Sequence, residues 1–231
     1  MNAPLALITG GGTGIGRATA ERLLLEGWRV IATGLDRDDD LPADIRFHRA
    51  DVTDPDAILP LLAGENALQG LVHCAGILRH EREWNIADFE AVMKVNVSAG
   101  FALATALLPR LEAAGGAVVM LASMWAIFGS AGAPAYTASK GAVAAVTRSM
   151  AVAWAPAGVR VNSVAPGWVE TRMSTRARTD RDRADRINSR IPMGRWAQPS
   201  EVAAVVRFLL SSDAAYVTGT MLPVDGGYSV C

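Results

Sequence analysis

The sequence is poor in cysteine, histidine and lysine, and its charges nearly cancel. Its two cysteines, Cys74 and Cys231, do not form a disulfide framework, so a reducing compartment is expected. Neither they nor the three histidines show the spacing of metal ligands, and no metal site is predicted. A net charge of -1 gives no general attraction to nucleic acid.

Long hydrophobic runs are also expected to be absent. Glycine, proline or charged residues interrupt the apolar stretches before the ~20 residues that a membrane span requires. The first residues lack a basic segment ahead of their short apolar run, which is unlike a secretory signal. We therefore expect a cytoplasmic protein that has neither a membrane nor a nucleic acid as partner.

Short β-branched runs alternate with stretches of helical periodicity along the chain. The runs predicted as strands are Leu5–Thr9, Arg29–Thr33, Ile45–Ala50, Leu71–Cys74, Ala117–Ala122, Arg160–Val164 and Met221–Val224. The predicted helices are Ile15–Glu26, Asp56–Ala63, Ile86–Glu112, Tyr136–Ala155 and Ser200–Leu210. This alternation predicts a single-domain α/β fold of the doubly wound Rossmann type, with a mainly seven-stranded parallel sheet flanked by helices. We expect residues 1–231 to form one dinucleotide-binding and catalytic domain.

Two segments interrupt this alternation. Residues 34–44, between the second and third strands, are too short for a crossover helix. Residues 168–195, here called the flap, are rich in arginine and are expected to border the substrate. The arginines could attract a carboxylate or phosphate, or could form a solvated helix face with salt bridges. The sequence leaves both interpretations open.

A glycine-rich turn separates the first strand from the first helix. Glycines allow a close approach to a pyrophosphate, and a helix N-terminus favours negative charge. A P-loop is disfavoured because Arg17 and Ala18 stand where lysine and serine or threonine would be needed. A flexible linker is the alternative to a phosphate site. The residues predicted to bind a cofactor here are Gly10, Thr13, Gly14, Ile15 and Gly16.

Three polar residues form a second candidate constellation. Tyr136 and Lys140 lie four residues apart on a predicted helix and therefore share a face. The ammonium of Lys140 is expected to lower the pKa of Tyr136. Ser123 follows a predicted strand, where open α/β sheets assemble ligand sites, although it could equally cap a turn. A hydrolase is disfavoured because Ser123 lacks the flanking glycines of a nucleophile elbow.

These motifs, in this order, resemble those of the classical short-chain dehydrogenases/reductases over nearly the whole chain. The matching positions are Gly10–Gly16, Asp51-Val52, Cys74-Ala75-Gly76, Asn96, Ser123, Tyr136 with Lys140, Pro166-Gly167 and Asp225-Gly226-Gly227. The resemblance implies that Tyr136 is the general acid and base in the interconversion of a secondary alcohol and a ketone. It also implies that Lys140 binds the ribose, that Ser123 orients the carbonyl and that Asn96 assists a proton relay.

The resemblance further implies a nicotinamide cofactor. The residues that would contact it, besides the glycine-rich turn, Tyr136 and Lys140, are Asp36, Asp51, Val52, Cys74, Ala75, Gly76, Pro166, Gly167, Val169 and Thr171. NAD is favoured because Thr13 replaces a basic residue of many NADP users and because Asp36 lies close to the family's acid position after the second strand, which itself falls on Gly34. NADP remains an alternative cofactor, because Arg17 and Arg37 could bind its additional phosphate. A homotetramer, or a homodimer, is also implied.

Two departures from the family pattern stand out. His73-Cys74 replaces the Asn-Asn pair of many relatives, and altered sheet packing is expected there. The short connection at residues 34–44 removes a usual helix near the adenine. The substrate is expected to be a small alcohol or ketone. A silent nicotinamide-sensing protein and a dehydratase or epimerase on the same scaffold remain alternatives.

Overall fold

The computed structural model describes residues 3–231, in which seven strands form one parallel sheet. The strands are β1 (Leu5–Thr9), β2 (Arg29–Gly34), β3 (Arg46–Arg49), β4 (Gly70–His73), β5 (Ala117–Leu121), β6 (Arg160–Pro166) and β7 (Met221–Val224). Their order across the sheet is β3-β2-β1-β4-β5-β6-β7, and all neighbouring pairs are parallel. The doubly wound α/β fold and the seven-stranded parallel sheet predicted from the sequence are therefore confirmed.

Helices cover both faces of this sheet. They are α1 (Gly14–Leu25), α2 (Ile86–Met93), α3 (Ala99–Ala114), α4 (Pro134–Trp154), α5 (Thr175–Thr179), α6 (Arg181–Asn188) and α7 (Pro199–Leu210). Side chains alternate between the two faces of a strand, so one strand contributes to two cores. In β1, Leu5 and Leu7 pack in the core beneath α3 and α4, whereas Ala6 and Ile8 pack in the core beneath α1 and α7.

The strand order reverses direction between β1 and β4, which lie side by side at the centre of the sheet. The register pairs Thr9 with His73 at the carboxyl ends of these strands. In open α/β sheets a ligand binds in the crevice at such a reversal, because the loops leaving the two strands diverge to opposite faces. The topology therefore directs attention to the loops that follow Thr9 and His73.

The predicted helix Asp56–Ala63 is wrong. The segment forms two short 3-10 helices, Pro55–Ala57 and Leu59–Leu62. Proline has no backbone N–H, so Pro60 cannot donate the bond that an α-helix would require at that position. The remaining predicted strands and helices are present, with ends that shift by a few residues.

One continuous helical stretch, Ile86–Ala114, contradicts the expectation that no apolar segment approaches membrane length. It has 29 residues and a mean hydropathy of 1.6 in its most apolar window. In the fold, 44% of that window is buried, and Leu103, Leu107 and Leu111 pack against the sheet. The helix is apolar because it forms part of the core, and its composition alone resembles that of a membrane span.

The same stretch is not a uniform α-helix. Residues Lys94–Ser98 form a π-helical segment between α2 and α3. Such segments are rare and often occur at functional sites, because the wider turn changes the direction of a side chain. Asn96 lies within it and is fully buried. The sequence predicted a continuous helix, since periodicity does not distinguish the two helical geometries.

Packing around His73 depends on Gly100 at the start of α3. A Cβ atom at Gly100 would lie 2.6 Å from Cδ2 of His73 and 2.8 Å from Cε of Met120. The imidazole therefore occupies space that any other residue at position 100 would fill. The altered sheet packing expected at His73-Cys74 stays a prediction; in this structure the His73 side chain packs against this glycine.

We predict that Gly100→Ala destabilises the protein. Alanine is favoured over glycine in a helix by about 1 kcal/mol, but overpacking a core costs ~1–3 kcal/mol, and here the overlap is severe. Gly141→Ala in α4 is the matched control, because nothing lies within 4 Å of the added atom. Urea denaturation should show a lower free energy of unfolding for Gly100→Ala only. Equal stability of the two variants would contradict this explanation.

Candidate active site

A cleft opens at the carboxyl ends of β1, β4, β5 and β6. It brings together most of the residues that the sequence singled out. The predicted site residues that line it are Gly10, Thr13, Gly14, Ile15, Gly16, Cys74, Ala75, Gly76, Ser123, Tyr136, Lys140, Pro166, Gly167, Val169 and Thr171. Asp36, Asp51, Val52 and Asn96 do not line this cleft.

Close backbone contacts form the floor of the cleft. Gly10 has a φ of 65°, and a Cβ atom there would lie 2.7 Å from the backbone nitrogen of Ala75. A Cβ atom at Gly16 would lie 2.1 Å from the carbonyl oxygen of Gly10. Only glycine permits these approaches, so the turn after β1 lies directly against the loop after β4 and the first turn of α1.

This floor fits the pyrophosphate of a dinucleotide. The N-terminus of α1, a helix of 12 residues, lines the cleft at Gly14, Ile15 and Gly16. The first turn of α1 contains no acidic side chain that would oppose the positive end of the helix dipole. Free N–H groups at a helix N-terminus bind phosphate oxygens, and the missing side chains leave room for them.

Ser123, Tyr136 and Lys140 face the same cleft from two elements. Ser123 lies two residues after the end of β5 and accepts a hydrogen bond from the N–H of Trp125 at 3.2 Å, so it also caps a short 3-10 helix. Tyr136 and Lys140 lie in the first turns of α4. The ammonium of Lys140 lies 5.2 Å from the centre of the Tyr136 ring and donates to the carbonyl oxygen of Leu121 at 2.5 Å. The hydroxyls of Ser123 and Tyr136 are thus presented to one space.

The expected lowering of the Tyr136 pKa is not found. Burial raises the pKa of Tyr136 to about 12; hydrogen bonding by the Ser123 hydroxyl opposes this rise, and the carboxylate of Glu83 adds to it. Burial also lowers the pKa of Lys140 to about 8. The low polarity of the site therefore outweighs the attraction between a phenolate and an ammonium. Tyr136 is held as a protonated phenol at neutral pH.

Asn96 lies behind the cleft and connects three segments. Its carbonyl oxygen accepts from the N–H of Ile77 at 2.8 Å, and its amide donates to the carbonyl oxygen of Ile77 at 3.0 Å. The same amide donates to Oγ of Ser139 at 3.0 Å, and that hydroxyl donates to the carbonyl oxygen of Tyr136 at 2.7 Å. Asn96 thereby ties the loop after β4 to the first turn of α4.

Two supporting residues had no signal in the sequence. Ser139 is buried, and its hydroxyl links Asn96 to Tyr136. It accepts a hydrogen bond from the Asn96 amide and donates one to the backbone carbonyl of Tyr136. Glu83 is also buried, and its carboxylate accepts from the N–H of Tyr136 at 2.8 Å and from the N–H of Arg79 at 2.7 Å. Glu83 comes 53 residues before Tyr136, within a charged segment that predicts a surface, so only the fold reveals the contact.

His73 supports the loop after β4 from below. Its Nδ1 lies 2.9 Å from Oγ1 of Thr9, and Oγ1 in turn accepts from the N–H of Ala75 at 3.3 Å. The Thr9 hydroxyl can therefore donate its proton to Nδ1, which requires that nitrogen to be unprotonated. Burial, with a further contribution from the charge of Lys140, lowers the pKa of His73 to about 4.

The residues expected near the adenine lie outside the cleft and make contacts of their own. Asp51 uses its carboxylate to accept from the N–H of Thr53 at 2.8 Å, and Val52 packs in the core. Asp36 pairs with Arg172 of the flap at 2.6 Å. The short connection between β2 and β3 packs onto the glycine-rich turn, since a Cβ atom at Gly12 would lie 2.3 Å from the carbonyl oxygen of Asp36.

The flap lies along one side of the cleft. Thr171 lies next to Gly14, where an added Cβ atom would be 3.3 Å from the Thr171 methyl group. Trp125 and Trp168 line the cleft and pack edge to face with ring centres 6.3 Å apart. Two arginines of the flap, Arg172 and Arg178, form ion pairs with Asp36 and Glu170, which agrees with the interpretation of a solvated surface with salt bridges.

Comparison with known proteins agrees with this geometry. The family described as "Enoyl-(Acyl carrier protein) reductase" matches residues 10–229. The chain is 40% identical over 245 aligned positions to galactitol 2-dehydrogenase (L-tagatose-forming) of Cereibacter sphaeroides, covering 100% of this chain and 96% of the relative. It is 36% identical to 2-dehydro-3-deoxy-D-gluconate 5-dehydrogenase of Bacillus subtilis (strain 168), covering 96% and 93%.

Among solved structures, a candidate 2-deoxy-D-gluconate 3-dehydrogenase from Agrobacterium tumefaciens, crystallised with bound NADP, superposes with a TM-score of 0.88. It is 35% identical, and the match covers 99% of this chain and 97% of that one. The chain belongs to the short-chain dehydrogenase/reductase family. The alignment with the first of these short-chain dehydrogenases is longer than the 231 residues of this chain, so that relative carries residues that are missing here.

We predict that His73 makes stability depend on pH. The unfolded chain binds a proton at His73 below its ordinary pKa of 6.5, whereas the folded chain does so only near 4. Stability is therefore lost as pH falls from about 6.5 to about 4, by up to ~3 kcal/mol for this group. Urea denaturation at pH 7, 5.5 and 4.5 should show a shallower loss for His73→Asn than for the wild type. An equal fall in the free energy of unfolding with pH in the two proteins would contradict this prediction.

Proposed function

We propose that the protein is a nicotinamide-dependent dehydrogenase that interconverts a secondary alcohol and a ketone on a polyol or a sugar acid. The observation that carries the proposal is the convergence of Ser123, Tyr136 and Lys140 on the cleft that holds the glycine-rich turn. The relatives add the substrate class, since they are named for oxidising galactitol and a deoxygluconate. The redox class of the reaction also follows from the family.

When bound, the nicotinamide ring supplies or accepts the hydride. The Ser123 hydroxyl donates to the carbonyl oxygen of the ketone and holds it beside Tyr136. The phenol of Tyr136 donates its proton to that oxygen as the alcohol forms, which suits a group held in its protonated form. In the oxidative direction Tyr136 must first lose a proton, and the ammonium of Lys140 stabilises the resulting charge.

The remaining residues position these groups. Lys140 is fixed by Leu121 and is available to the ribose at the cleft wall. Asn96 and Ser139 hold the first turn of α4 against the loop after β4, and Glu83 fixes the N–H of Tyr136. Because each contact is made by a buried polar atom, its loss would leave an unsatisfied group as well as a misplaced phenol.

We propose NAD as the preferred cofactor, with NADP as the less favoured one. Asp36, Asp38 and Asp40 surround the loop after β2, and they engage Arg172 and Arg17 in ion pairs. Residues 36–40 and their two arginine partners carry four carboxylates and three guanidiniums, since Asp39 and Arg37 lie in the same loop, and the negative balance disfavours a 2′-phosphate. The Agrobacterium tumefaciens structure holds NADP, so this rim is where the two proteins would differ in cofactor choice.

We also propose that the protein is cytoplasmic and forms a homotetramer, or a homodimer. Its two free cysteines and balanced charge support the location. Apolar side chains exposed on two long helices support the assembly, since Phe101 on α3 is 47% exposed and Val152 on α4 is 80% exposed. A second copy would cover them.

We predict that Tyr136→Phe lowers kcat at least ~100-fold, because general acid–base assistance is worth that much or more. Reduced-cofactor absorbance, followed over a panel of polyols and sugar acids, measures the loss. Tyr216→Phe is the control, since this tyrosine is fully exposed and remote from the cleft. Retained fluorescence enhancement of bound NADH would show that the variant is folded. Near-normal turnover by Tyr136→Phe, or a wild type that reduces no cofactor, would refute the proposed function.

We predict that Asp36→Asn lowers the preference for NAD over NADP, expressed as the ratio of the two kcat/KM values, by about tenfold. The change removes a charge near the expected ribose while keeping the shape of the side chain, and tenfold corresponds to one charge-assisted contact. Asp39→Asn is the control, because Asp39 is exposed and forms no ion pair with any residue of 3–231. An unchanged ratio for Asp36→Asn would rule out this residue as a selector.

A further inference from the structure

A second cavity, here called the chamber, adjoins the cleft beside Trp125 and Trp168. The two share Leu78, Trp125, Trp168 and Met173 in their walls. The cleft contains Ser123 and Tyr136, so a substrate held by those hydroxyls has the chamber as its neighbour. The proposed reaction does not use this space. Its walls are mainly apolar on the side that it shares with the cleft and charged on the far side.

The far side of the chamber is charged. His80, Glu81, Arg176 and Arg183 line it, together with small residues of the loop before α4. His80 has a φ of 53°, a backbone conformation that costs a non-glycine residue about 1–3 kcal/mol and that is concentrated at functional sites. The side chains of Arg176, Arg183 and Glu81 therefore line the same space. The indole rings of Trp125 and Trp168 form its other wall.

The cations of the chamber are weakly paired compared with other arginines of the flap. Arg178 contacts Glu170 at 3.0 Å and Arg172 contacts Asp36 at 2.6 Å, whereas Arg176 lies 3.6 Å from Glu81. Arg183, a half-buried residue, has no ion-pair partner among residues 3–231. A partly buried cation without a counter-charge is unfavourable unless a ligand supplies the charge.

We infer that this chamber binds the carboxylate of the substrate, with Arg183 as the specificity-determining residue and Arg176 as its partner. The inference rests on the proposed function and narrows its substrate class from polyols and sugar acids to polyhydroxy acids. A carboxylate accepts two parallel hydrogen bonds from a guanidinium, a contact that a neutral hydroxymethyl group cannot reproduce.

Matched substrate pairs test this inference. D-Gluconate and D-glucitol differ at one end of the same carbon chain, as do D-galactonate and galactitol. We expect the wild type to have a higher kcat/KM for the acid of a pair, and Arg183→Gln to lower the acid-to-alditol ratio at least about tenfold. Arg181→Gln, on the same helix but exposed and outside the chamber, should leave that ratio within about twofold of the wild type.

Calorimetric titration of each acid into the protein with bound NADH distinguishes failure of this inference from failure of the proposed function. It measures binding alone, because this complex does not turn over the acid. Binding that weakens at least about tenfold in Arg183→Gln, even if no alcohol is oxidised, would support the chamber and overturn only the proposed reaction. Turnover with an acid-to-alditol ratio that is the same in the wild type and Arg183→Gln would overturn the inference and keep the reaction. Preference of the wild type for the alditols would also overturn it.

Discussion

The contact between the turn after β1 and the loop after β4 governs the rest of the site. Gly10 brings its backbone against Ala75 at a distance that no side chain would allow. This contact sets the floor of the cleft where the strand order reverses, and it places the start of α1 beside the loop that carries Gly76. A wider separation would remove the dinucleotide groove and the support that Asn96 gives to α4.

Low polarity is the second determinant of the site. Burial acts in opposite directions on the two titrating partners, raising the pKa of Tyr136 and lowering that of Lys140. Both shifts favour the neutral forms, so the low polarity of the site disfavours a preformed ion pair between a Tyr136 phenolate and the Lys140 ammonium. The lysine acts here first as a hydrogen-bond donor to Leu121, which fixes its position in the cleft wall.

The sequence predicted what depends on local spacing. The glycine-rich turn and the four-residue interval between Tyr136 and Lys140 are contained in short segments, and so is the alternation of strands and helices. It could not predict contacts between distant segments, such as that of Glu83 with Tyr136 or that of His73 with Gly100. The 3-10 geometry before Leu62 followed from a proline whose effect the apolar periodicity concealed.

The π-helical segment Lys94–Ser98 has a consequence for how this protein tolerates changes in length. Its wide turn holds one residue more than an α-helical turn, and each residue of an α-helix advances the side chains by about 100°. Deletion of one residue there would restore a regular helix while rotating α2 relative to α3, and Asn96 would leave Ile77. Chain length is therefore constrained more tightly at this segment, which contains the buried Asn96, than in the largely exposed loop between β2 and β3.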